Sequence, residues 1–374
     1  MRARELPNRP RPASAGFREA AKLGALSLLL VALPPAACPQ DVSPSEVRRA
    51  TAIRRGLDYL ARHQATDGSW GDPERGIVGI TALGVLAFLA QGCQEGFGPY
   101  SDFEGHGDVV RRGVDFLLKH STATMRSGKP PGFIFSERDG DSRMHGHGYA
   151  TQALVLVYGT GRAAGERTRE LREKIERAIA VIEESQTITG GWGYEPSKAT
   201  AHEGSVTVTV VQALRLAADA GFVVDREVHD RGLKYLRDSQ KRDGSFRYSH
   251  MTETSTPALT AAALTAMHGF GEYYSRAVTQ GLHYLRRAYE NPDRIQWPFY
   301  SHYYAAQAFY RAGGSDWALW KRVGIPHILN QQRDGYWDDR IHPGARGEHG
   351  RHHATAFSVL ALSVEEGYLP IFQR

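Results

Sequence analysis

The chain has 374 residues, 41% of them hydrophobic, which is enough for one large or two ordinary domains with a substantial core. Its formal charge of +5 is concentrated at one end: residues 1–37 carry six basic and two acidic side chains and so hold four of the five charges. The remainder is close to neutral, which excludes a basic face for nucleic acid, and two cysteines exclude a framework of disulfides.

Taken in order, the chain opens with a basic segment from Arg2 to Lys22, followed by an apolar run of 11 residues from Leu23 to Leu33. That run is too short to span a bilayer. Ala36-Ala37 then precede Cys38. Residues 1–37 are therefore expected to be a bacterial-type export signal and Cys38 a lipidation site, with the protein in the periplasm or cell envelope. Contact with membrane is expected only through an anchor on Cys38. Residues 38–46 form a polar linker in which Ser43 or Ser45 is placed to cap a helix, and residues 47–374 form the folded body.

The stretch from Ala52 to Trp70 sets the pattern for that body. Ile53, Gly56, Leu57, Leu60 and Ala61 fall at helical spacing, the helix ends at Gln64, Asp67-Gly68 makes a turn, and Trp70 closes it. Eight residues separate Gly56 from Gln64, and the same step leads from Ala178 to Gln186, Gly232 to Gln240 and Gly324 to Gln332. Weaker copies start at Gly113 and Gly281, with Ser121 and Tyr289 in the Gln position. Six copies at intervals of 43 to 65 residues predict a solenoid or a closed array.

After each turn comes a second, almost uncharged segment: 76–90, His147–Tyr158, Ser205–Ala220, Pro257–His268, Ser301–Ala312 and His352–Val364. Helices apolar nearly all round are buried on all sides, whereas the first set carries charge on one face. Two concentric rings follow, with the buried set inside. Because direction alternates, all six inner helices start at one end, and the long connections 125–143, 198–204 and 340–351 lie at that same mouth.

The residues resemble a known family. The terpenoid-cyclase and protein-prenyltransferase superfamily, which includes squalene-cyclase-type repeat proteins, carries a repeat matched by Arg55-Gly56-Leu57-Asp58-Tyr59-Leu60 through Gln64, Gly68 and Trp70. Arg231-Gly232 through Gln240, Gly244 and Phe246 matches it with Phe in place of Trp. The resemblance covers about residues 50–368 and implies an all-α fold, an α6/α6 toroid around a central apolar cavity. One fold hosts many chemistries. The family's signatures are missing here: Asp139-Gly140-Asp141 and Asp338-Asp339 do not form the Asp-x-Asp-Asp acid, and Cys93 has no partners for the Asp/Cys/His zinc site. Gly92-Cys93-Gln94-Glu95-Gly96 lacks the reactive Gln of a thioester motif.

What remains is polar residues around the inner-helix starts. Asp139, Asp141, His145 and His147 are the candidate catalytic groups; Tyr149, His302, Tyr303, His349, His352 and His353 are the candidate ligand-binding groups. Glu203 and His202 precede the third inner helix. Histidine can act as acid, base or metal ligand, so a divalent metal is compatible with the set although no strong motif specifies one. The expected function is binding or processing of an isoprenoid-like apolar ligand. The alternatives are a polysaccharide lyase or hydrolase using the carboxylates and histidines, and a non-catalytic binding scaffold.

Overall fold

The helix–turn–helix unit recurs six times in a computed structural model, which describes residues 43–71, 77–95, 106–140, 143–161, 164–199, 201–341 and 350–373. Residues 1–37, the expected export signal, and Cys38, Asp141 and His349 lie outside the described residues. The outer helices are α1 (Pro44–Arg62), α3 (His106–His120), α5 (Glu166–Glu184), α7 (Arg226–Asp238) and α9 (Arg276–Ala288). The sixth is α11 (Gly314–Leu319), continued through a π turn at Trp320–Gly324 into α12 (Ile325–Asn330). The inner helices are α2 (Ile77–Leu89), α4 (Arg143–Gly159), α6 (Gly204–Asp219), α8 (Pro257–Gly269), α10 (Pro298–Ala312) and α13 (Gly350–Leu362).

Each inner helix packs on the next, and α13 packs back on α2, so the inner ring closes. Each outer helix packs on the inner helix before it in the chain, and α1 packs on α13 and α12. This is the expected α6/α6 toroid. Among the described residues there are isolated bridges but no strands. The first helix begins where Ser43 forms a capping box with Glu46. Three inner helices start earlier than their apolar runs suggest, at Arg143, Pro298 and Gly350.

The repeat residues hold the rings together. The Gln64 amide donates to Gly68 O at 2.9 Å and to Val109 O, on the next outer helix, at 3.0 Å. Gln186 repeats this with Gly190 O and Val228 O, and Gln240 with Gly244 O and Ala277 O. Gln332 donates to Ala52 O at 2.8 Å and so joins the last unit to the first. Where the Gln is missing in unit two, Lys174 reaches back from α5 to Leu118 O and Ser121 O.

The indole N–H of Trp70, Trp192 and Trp337 donates to Leu60 O, Ile182 O and Ile328 O, which satisfies a carbonyl at the end of its own outer helix. Each ring lies on the repeat glycine of the following unit. A Cβ on Gly113 would stand 3.1 Å from Trp70 Cζ3 and 2.6 Å from Val85 Cγ2; one on Gly56 would stand 3.1 Å from Trp337 Cζ3. The glycine is there because the preceding unit's ring occupies the space of a side chain.

Candidate functional site

A second repeated contact sets which side of each inner helix faces the axis. The backbone N–H of Trp70, Trp192, Phe246 and Trp337 donates to the hydroxyl of Thr81, Thr207, Thr260 and Thr355 respectively. These threonines face the outer ring. In unit two the same place is taken by His147, whose Nδ1 accepts from Ile134 N at 3.0 Å. Positions two before, two after and five after this one lie on the opposite face of the helix. They form three inward layers. The uppermost includes His145, Ser205, Tyr300 and His353; the next, Leu83, Tyr149, Thr209, Ala262, Tyr304 and Phe357; the third, Leu86, Gln152, Gln212, Thr265, Gln307 and Leu360.

The layers separate the candidate residues. His147 is fully buried between the rings, its Nε2 donating to Ala178 O at 3.1 Å, and burial pushes it down to about 4. It is a neutral cross-link, not a group presented to a ligand. His302 is also turned outward, with Nδ1 2.9 Å from the Tyr289 hydroxyl and its ring against Trp320 and His327. His352 faces α1, near Tyr59 and His63, and burial lowers it to about 4. Tyr303 is buried among Tyr304, Phe357 and Phe372. Asp139 accepts from Val78 N and Ser136 N, so it caps the start of α2 from another unit, and burial pushes its pKa up. Asp339 accepts from Gly350 N at 2.7 Å and so caps α13 within its own unit.

His145, Tyr149 and His353 do face inward. His145 Nε2 lies 2.9 Å from Ser205 Oγ and 3.7 Å from Glu203 Oε1. Glu203 is the N-cap of α6: its carboxylate accepts from Ser205 N and Val206 N and from the Ser205 hydroxyl. Desolvation nevertheless raises it to about 7. Its charge also reaches Tyr300, whose hydroxyl is buried beside Tyr304 without a hydrogen bond of good geometry among the described residues. On the facing side, His353 meets Phe357 edge-on at 4.8 Å and lies 3.8 Å from Asp339. One helical turn below, the hydroxyls of Tyr149 and Tyr304 meet at 3.1 Å, and Tyr149 packs edge-on to Phe357. Because α4 and α10 stand opposite in the ring, that contact crosses the axis. The centre at this depth is filled by phenols, where an open apolar cavity was implied.

Sequence reasoning placed Glu203 at the rim without assigning it a role. The available signal was its position two residues before Ser205 at a helix start, where desolvation and capping act on the same carboxylate. Among the described residues no group of three or more His, Cys, Asp or Glu could hold a metal ion.

No protein-family model matches the chain, and no curated protein matches it. Solved structures do. A variant of the type II terpene cyclase MstE from Scytonema, in complex with geranylgeranyl dihydroxybenzoate, superposes with a TM-score of 0.57 at 16% identity over 87% of this chain and 99% of that one. The fold is a terpenoid-cyclase-like α/α toroid. The same toroid is similar to a glycosidase variant in complex with glucose, with a TM-score of 0.58 at 14% identity over 87% of this chain and 98% of that one. It is also similar to the cellobiose 2-epimerase of Bacillus thermoamylovorans, with a TM-score of 0.58 at 10% identity over 83% and 98%. At these identities the likeness is one of fold.

Proposed function

We propose that the mouth of the toroid binds and transforms a small saccharide-type ligand by acid–base chemistry, with His145 as the group presented to it. The observation that carries this reading is the Tyr149–Tyr304 contact, which makes a polar floor one turn below His145. Imidazole, carboxylate and aromatic faces are the groups that hold and protonate hydroxyl-rich ligands. If Ser205 donates its single hydroxyl proton to Glu203, His145 must donate Nε2–H to Ser205, so Nδ1 is its basic nitrogen. A proton taken up at Nδ1 gives an imidazolium that ionised Glu203 stabilises. Ser205 is then a conduit through which that charge can be neutralised.

A second reading, the isoprenoid-like apolar ligand, is favoured by the apolar side of the axis at Leu83, Leu86, Phe357 and Leu360. It requires the tyrosine pair to part. Titration calorimetry with glucose, cellobiose and cellohexaose, and separately with geranylgeraniol in detergent, distinguishes the two. Saccharide binding that is lost in His145→Ala and weakened in His353→Ala supports the first. Binding of geranylgeraniol alone replaces it with the second, and binding of neither favours the scaffold. Export with acylation at Cys38 belongs to the same proposal. An intact mass of membrane-fraction protein starting at Cys38 with added acyl chains supports it, and a retained Met1 refutes it.

A further inference from the structure

We propose that the toroid holds a second, enclosed polar site beneath the Tyr149–Tyr304 floor, built by Gln152, Gln212 and Gln307 and taking neutral hydroxyl donors. The three glutamines share the third inward layer, on α4, α6 and α10, and all are at least nine-tenths buried. Gln152 reaches along the inner ring to donate its amide to Thr209 O at 2.9 Å, and Gln307 donates to Tyr303 O at 3.2 Å. The amide oxygen of each of the three has no hydrogen-bond partner among the described residues, and the nearby Tyr303 hydroxyl, which feels the Gln307 amide, makes no bond of good geometry either. One buried acceptor without a donor costs about 1–3 kcal/mol, so three in a single layer favour a guest that donates to them.

The surroundings select the guest. Carboxamide oxygens repel an anion. A cation is disfavoured by Arg311, which follows Gln307 by one turn, is largely buried, and donates to Ile371 O at 2.6 Å. The three oxygens call for a hydrogen-bond donor, and Leu86 and Leu360 on the far side of the layer give it one apolar wall. Hydroxyl protons fit, from ordered water or from the hydroxyls of a ligand; the second source rests on the saccharide reading. At the end of the inner helices away from the mouth, Arg311 ties α10 to the turn Pro370–Phe372.

The test is a pair of high-resolution crystal structures of the full folded body, one without ligand and one soaked in glucose. Ordered density within about 3 Å of at least two of the three amide oxygens is expected in both. Sugar density in the soaked crystal assigns the site to ligand hydroxyls. Water in both crystals keeps the enclosed site and assigns it to solvent, whatever the fate of the saccharide reading. Amides paired with one another, with no density between them, overturn the proposal. Melting temperatures give an independent check: Gln307→Leu and Gln152→Leu lower them if a guest is bound, and raise them if the oxygens are merely unsatisfied.

Discussion

The hydroxyls of Tyr149 and Tyr304 meet 3.1 Å apart across the toroid axis, one from the second inner helix and one from the fifth. Replacing either by Phe leaves the other hydroxyl buried with a lost partner. Tyr149→Phe and Tyr304→Phe should each cost about 1–3 kcal/mol, and the double variant less than the sum, because removing both leaves neither hydroxyl of the pair without its partner. Denaturant unfolding of the four proteins in the cycle measures this; strict additivity would mean the contact carries no coupling.

The staple between units can be broken from either side. Trp70 is 1% exposed, donates to Leu60 O and lies over Gly113. Trp70→Ala should destabilise by about 3–5 kcal/mol. Gly113→Ala would gain about 0.5–1 kcal/mol of helix propensity, but its Cβ would stand 2.6 Å from Val85 Cγ2. Overpacking costs about 1–3 kcal/mol, so the net change should be unfavourable. A Gly113→Ala protein as stable as the parent would show that the neighbouring unit gives way easily.

Glu203 links the mouth to pH. Burial raises the folded carboxyl to about 7, against an ordinary value of 4.5. The folded state therefore holds the proton more tightly, and the stability this contributes is present below pH 4.5 and lost as pH rises to 7. Glu203→Gln cannot ionise, so it should gain on the parent by roughly 3 kcal/mol across that window. Thermal unfolding of both proteins from pH 4 to 8 checks the difference. A constant gap would place the carboxylate in water.

His147 has the opposite sign. Its folded value is lowered to about 4 from 6.5, so it favours folding above pH 6.5 and loses that contribution as pH falls to 4. His147→Thr installs the residue that units one, three, four and six use at this place. The hydroxyl can still accept from Ile134 N, but the bond to Ala178 O and much packing are lost. The variant should be less stable at pH 7 by about 1–3 kcal/mol, and the gap should close on acidification. A gap that widens in acid would mean that the ring is protonated in the fold.

The six units and their order were legible in the chain itself. Gly56, Gln64 and Trp70 recur at fixed steps because each acts over one helix and one turn, so short spacing is enough to specify them. Even the ring closure has a local token, since Gln332 repeats Gln64 although its acceptor, Ala52 O, lies 280 positions away. The facing of the inner helices was not legible. His145 and His147 are two residues apart in a run with almost no charge contrast, and a two-residue step turns a helix through more than half a circle. Only the bond from Ile134 N to His147, repeating the Trp-to-Thr bonds of the other units, decides that His145 faces the axis and His147 the outer ring. The same holds for Glu203 and for the tyrosine floor. Desolvation of a carboxylate, and the meeting of two phenols from opposite sides of a ring, exist only once all six units have closed around them.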